Sequence, residues 1–167
     1  MVLLPRSYFV VQGIGEDNLS QVNAFDRALY DAGIANYNLV CVSSILPFNI
    51  LEDEAKKLPK EGSILFCVMS RIDGVKNEQV VGGIAITKII DRKGNRKFGL
   101  IVEGSSKDAK GTKFGKLLTS KVEKMSRLRK TKLIELKINQ SRCLKIKKNY
   151  GTALVVVVFN DYELVAE

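Results

Sequence analysis

The chain has 167 residues, 46% hydrophobic and 27% charged, which is enough for one domain with a real core and excludes a disordered polymer. Its net charge of +9 raises nucleic acid as a partner, but the excess lies in residues 107–132 and 142–148, as a solvated helix face and a polar turn with little aromatic interleaving, which argues against a nucleic-acid surface. It contains no histidine, which removes the Ser-His and Cys-His nucleophile systems, and its three cysteines form no C-x-x-C pair, which argues against a disulfide framework or a metal cage.

Residues 1–6 lack a basic region ahead of an apolar stretch and lack a small-residue cleavage site, so no secretion signal is expected and the cytoplasm is the expected location. The longest apolar run, residues 153–159, is far short of the roughly 20 needed to cross a bilayer, so no membrane partner is expected. Residues 7–11 are β-branched and aromatic and predict a strand that runs into a loop at Gly13-Ile14-Gly15. Val22, Phe25, Ala28, Leu29 and Ala32 recur at helical spacing, and Gly33 predicts the stop. Residues 38–42 form a strand leading into Ser43-Ser44-Ile45-Leu46-Pro47, followed by a charged loop over 51–62.

Apolar strands are expected over 63–72 and 79–90, joined by a turn at Asp73-Gly74, and a second hairpin turn at 91–95 leads into a strand over 97–103. Ser105-Ser106 is placed to cap a helix over 107–130, whose inner face would carry Phe114, Leu117, Leu118, Val122, Met125 and Leu128. Ile134, Leu136 and Ile138 alternate with polar residues as in a half-buried strand, and 152–159 is a buried final strand. The expected class is α+β, a single domain over 1–167 with antiparallel-rich sheets covered by two helices and no repeat or linker.

Taken alone, Ser43-Ser44 is a strand-to-turn junction, Glu103 a strand-end carboxylate and Asp26 a helix-surface charge. The run Asn36-Tyr37-Asn38-Leu39-Val40-Cys41-Val42-Ser43-Ser44-Ile45-Leu46-Pro47, however, resembles the processing segment of the pyruvoyl-dependent arginine decarboxylases. Asn23-Ala24-Phe25-Asp26 upstream and Gly99-Leu100-Ile101-Val102-Glu103 downstream match the same family in order, and the similarity covers about 8–159.

The resemblance implies an αββα sandwich that cuts itself between Ser43 and Ser44 into chains 1–43 and 44–167, with Ser44 converted to a pyruvoyl group. It also implies the roles of the surrounding residues. Ser44 attacks the Ser43 carbonyl, Asn38 supplies the oxyanion donor for that step, and Glu103 later donates a proton to the decarboxylated carbon. A pyruvoyl carbonyl serves as the electron sink in place of pyridoxal phosphate and without a metal, and the implied product is agmatine from L-arginine. Asp26 is the implied partner of the guanidinium, a group that suits a planar carboxylate. Ala35, where the family often has glycine, and Tyr37, where it has a smaller residue, narrow the implied pocket. The implied assembly is a homotrimer with sites between subunits. Two other functions remain open at this stage: a pyruvoyl decarboxylase of another amino acid, and an uncleaved basic binding protein of the same fold.

Overall fold

The computed structural model describes residues 1–107 and 111–166. In chain order the elements are β1 (Val2–Asp17), α1 (Gln21–Asp31), β2 (Asn38–Cys41), β3 (Ile45–Leu46), β4 (Leu51–Glu52), β5 (Ile64–Val75), β6 (Gln79–Ile90), β7 (Arg96–Ser106), α2 (Gly111–Leu128), β8 (Lys132–Gln140), β9 (Leu144–Lys145) and β10 (Tyr150–Val165). One sheet has the order β2-β5-β10-β1-β4 and the other β3-β7-β6-β8, with β9 beside β6. The expected α+β class with antiparallel-rich sheets and two covering helices is the observed one.

Three apolar layers define the stacking. Tyr8, Val155, Val157 and Phe159 of the first sheet meet Ile84, Ile86 and Ile101 of the second in the central core. Phe9, Leu154, Val156 and Val158, on the other face of the first sheet, pack with Ala28 and Ala32 of α1. Val81, Ala85, Leu100 and Val102 meet Phe114, Leu118 and Val122 of α2. Successive strand residues point to opposite faces, so a central strand covered on both sides must be apolar at every position, as β10 is from Ala153 to Phe159. No helix among the described residues is long and apolar enough to cross a membrane.

Helix α1 begins where the Ser20 hydroxyl accepts the Asn23 N–H at 3.1 Å. It ends in a Schellman arrangement, with Gly33 at φ +75°, the Gly33 N–H on the Tyr30 carbonyl and the Ile34 N–H on the Leu29 carbonyl. Its inner face is shifted from the expected one: Ala24, Ala28 and Ala32 are buried, whereas Val22 is exposed. The three alanines let the helix lie almost on the strand beneath it. A Cβ on Gly13 would meet the Ala28 carbonyl oxygen at 2.0 Å, and one on Gly15 would meet that of Ala24 at 2.3 Å. Gly13-Ile14-Gly15 is therefore strand, contrary to the loop expected from its glycines, and β1 pairs with β10 through to Asp17↔Tyr150.

Other boundaries differ for local reasons. Asp73 and Gly74 stay in β5, paired with Thr152 and Gly151, and the chain reverses at 75–78, where Asn77 takes φ +74° and the Glu78 N–H reaches the Val75 carbonyl. Ser105 and Ser106 finish β7, opposite Gly82 and Val81, instead of beginning the helix; part of the segment expected to be helical lies outside the described residues. Leu128 is exposed at the end of α2, and Leu51-Glu52, expected in a loop, pairs in parallel with Ser7-Tyr8.

Candidate active site

Strand β2 belongs to the first sheet and β3 to the second, so residues 42–44 carry the chain across the sandwich. Both ends of this crossing are fixed. The Val42 N–H donates to the Cys67 carbonyl on β5, and the Ile101 N–H of β7 donates to the Ser44 carbonyl, each at 2.9 Å. Between them the Ile45 N–H donates to the Ser43 carbonyl at 3.0 Å, closing a three-residue turn centred on Ser44. The bond between Ser43 and Ser44 is thus presented in a tight turn, with its carbonyl oxygen already held by a donor.

Glu103 approaches from β7. It pairs with Ile84, a central-core residue, and paired residues on neighbouring strands share a face, so its side chain is directed between the sheets. Its carboxylate oxygens lie 3.2 and 3.3 Å from the Ser44 hydroxyl, which donates to them, and both residues are half-buried. A hydroxyl against a carboxylate, on a residue whose preceding carbonyl accepts an N–H, has the groups that a nucleophile, a base and an oxyanion donor require, with the carboxylate supplied from β7. No histidine is needed for this arrangement, and the residues present fit a pyruvoyl group formed in place from Ser44.

Asn38 is not part of that turn. Its amide donates to the Gly62 carbonyl at 2.8 Å, which ties the start of β2 to the loop ahead of β5. The donor at the Ser43 carbonyl is the backbone of Ile45, a contribution no side-chain pattern announces, because every residue except proline carries the same N–H. In this structure the Asn38 amide is hydrogen-bonded at the start of its strand, and the donor on the Ser43 carbonyl is the Ile45 backbone.

Asp26 lies on the outer face of α1, in a cavity of about 790 Å³ lined by Asp17, Asn23, Asp26, Arg27, Tyr30 and Asp31. Two of its three carboxylates are neutralised. Asp17 receives the Leu19 and Ser20 N–H groups and the Arg27 guanidinium at 3.0 Å, and these bonds hold its carboxyl below the usual range, that from Leu19 foremost. Asp31 receives the Arg142 guanidinium at 2.8 Å and the Ile14 N–H at 3.0 Å. Asp26 is exposed and makes no hydrogen bond or ion pair among the described residues. Neither Ser44 nor Glu103 lines this cavity. Ala35 and Tyr37 lie on the connection from α1 to β2, with the Tyr37 hydroxyl donating to the Pro59 carbonyl at 3.1 Å.

The class the structure defines is a four-layer α+β sandwich in which a serine and a carboxylate meet at the sheet-to-sheet crossing. The sequence profile of the family described as pyruvoyl-dependent arginine decarboxylase matches residues 7–164, and the chain belongs to that family. A pyruvoyl-dependent arginine decarboxylase of Methanopyrus kandleri is 34% identical over 93% of this chain and 97% of its own length. One of Methanothermobacter thermautotrophicus is 32% identical over 85% and 89%. Pyruvoyl-dependent arginine decarboxylase 1 of Archaeoglobus fulgidus is 45% identical, over 46% of this chain and 49% of its own.

Proposed function

We propose that this protein cuts its own chain between Ser43 and Ser44 and then decarboxylates L-arginine to agmatine. The observation that carries the reading is the Ser44 hydroxyl on the Glu103 carboxylate, beside a Ser43 carbonyl held by the Ile45 N–H. Glu103 takes the hydroxyl proton as Ser44 Oγ attacks the Ser43 carbonyl carbon, and the Ile45 N–H stabilises the oxyanion. The C–N bond then breaks, leaving an ester and a free amine on residue 44. Loss of the Ser44 α-proton expels the Ser43 carboxylate and leaves a dehydroalanine. Water replaces its nitrogen, ammonia departs, and a pyruvoyl group heads chain 44–167.

That group supplies a carbonyl that condenses with the substrate amine and accepts the electron pair released as carbon dioxide leaves. Glu103, fixed on β7, returns a proton to the α-carbon. The unneutralised Asp26 receives the guanidinium, in a site closed between protomers of a homotrimer so that Asp26 of one faces Ser44 of the next. Support for the interfacial site is the separation of Asp26, on the outer helix α1, from Ser44, which lies on the crossing from one sheet to the other and does not line the Asp26 cavity.

The test is a denaturing gel with intact masses, followed by an assay of carbon dioxide and agmatine from each amino acid. Two chains divided after residue 43 and release from arginine are expected. A chain that never divides refutes the processing, and no release from arginine refutes the substrate.

A further inference from the structure

We propose that Cys41 and Cys67 are a disulfide-forming pair that, in the cleaved protein, joins the small chain covalently to the large one. The bond itself requires only the folded chain; its role as a link between chains rests on the cleavage proposed above.

Cys41 and Cys67 are direct partners in the parallel pairing of β2 with β5, and their sulfurs lie 3.9 Å apart. Neighbouring strands run about 4.8 Å apart, inside the range of about 4.4–6.8 Å between Cα atoms that a disulfide accepts. Closing the sulfurs to about 2.05 Å therefore needs side-chain rotation, not separation of the strands. The two thiols are unequal in access, since Cys41 is exposed and Cys67 is fully buried. Burial, followed by the neighbouring Cys41, pushes the Cys67 thiol up to about 12. Cys41 is thus the thiol that meets an oxidant, and Cys67 the one that resolves the product.

The oxidant named here is a low-molecular-weight disulfide. Cys41 thiolate attacks one of its sulfurs, the small S–S bond breaks, and one small thiolate leaves with the formation of a mixed disulfide on Cys41. Cys67 then gives up its proton and attacks the Cys41 sulfur, the mixed S–S bond breaks, and a second small thiolate leaves. The protein pair loses two electrons and two protons, and the small disulfide becomes two thiols.

The location gives the bond its effect. Strand β2 is at the edge of its sheet, held on one side by β5, and Cys41 is two residues ahead of Ser43, which cleavage turns into a chain end beside the site. A bond at Cys41 pins that end against β5.

The experiment uses full-length, processed protein carrying Cys143→Ser, which removes the third, exposed cysteine. The protein is equilibrated with oxidised and reduced glutathione over a range of ratios, quenched by alkylation and run without reductant. One band containing both chains and two hydrogens lighter by mass is expected, resolving into two bands on reduction, while added Cys41→Ser leaves two bands throughout. Two separate chains at every ratio overturn the proposal, as does a link that survives Cys41→Ser. The same titration on Ser44→Ala protein reads the loss of two hydrogens in an uncut chain, so failure to form the bond is distinguished from failure to cleave.

Discussion

Ser44 and Glu103 are 59 residues apart in sequence and in contact in the fold, and their contact makes separable predictions. Ser44→Ala removes the nucleophile and is expected to leave one uncut chain on a denaturing gel with no carbon dioxide release. Glu103→Gln keeps a hydrogen-bonding group beside Ser44, so cleavage is expected to slow yet reach completion, while carbon dioxide release from the cut protein falls by about 10²–10⁴-fold. A Glu103→Gln protein that cuts and turns over at the native rate would remove Glu103 from both steps. A second residue prediction concerns acid. The Asn95 side chain and the backbone N–H groups of Asn95 and Lys93 hold the Asp91 carboxyl down at about 2, against an ordinary 3.8. A depressed carboxyl stabilises the fold above its unfolded value and loses that contribution as pH falls through its folded one. The protection of the amides at 91–95, as the ratio of intrinsic to observed hydrogen-exchange rate, is expected to hold down to about pH 4 and to fall toward pH 2. In Asp91→Asn protein this pH dependence should vanish. The sequence singled out Ser44 and Glu103, which the structure brings into contact, and Asp26, which it places elsewhere, because their family order is visible. It hid the Ile45 N–H on the Ser43 carbonyl, because a backbone donor has no side-chain identity, and it did not show that the Asn38 amide bonds the Gly62 carbonyl, a contact made between segments distant in sequence.

Helix α1 is the element whose position the sequence predicted and whose contact it did not. Spacing located the helix to within a residue of Gln21–Asp31, and Gly33 ended it as expected. Its partner strand was cut short, because Gly13 and Gly15 read as breakers when only local conformation is weighed. Their actual role is tertiary: they remove the Cβ atoms that would collide with the carbonyls of Ala28 and Ala24. Gly13→Ala is therefore expected to destabilise by about 3 kcal/mol, the upper end of overpacking costs, since the clash is with helix backbone that cannot rotate away. Urea unfolding checks this, and an unchanged midpoint would mean that α1 has room to lift. The long strand β10 was legible for the opposite reason. Every side chain from Ala153 to Phe159 is buried, so its apolar run needed no alternation to declare itself. Turns were legible where the backbone makes its own signal, as at Asp91 to Asn95, and not at 75–78, where Asn77 adopts the left-handed conformation without a glycine.

At the scale of the molecule, the unneutralised Asp26 and the Ser44–Glu103 contact lie on different layers, which makes assembly part of the proposed site. Co-purified mixtures of Asp26→Asn and Glu103→Gln protein test this. With random assortment of equal amounts about a quarter of all sites carry both native residues, and activity should recover to that level although each parent alone is nearly inactive. No recovery places both residues of a site in one protomer. The placement of β1 has a further consequence. It lies between β10 and β4 and pairs with β10 from Val2↔Val165 to Asp17↔Tyr150, so the segment ahead of Ser44 contributes an inner strand of the sheet as well as the edge strand β2. The proposed cut after Ser43 would therefore change the molecularity of folding. The uncut chain closes this sheet as a first-order reaction, whereas the separated pieces must find each other, and the melting temperature of the cut protein is expected to depend more steeply on its concentration than that of Ser44→Ala protein. Activation then fixes a direction in time: a molecule that opens after the cut has lost the tether that built it.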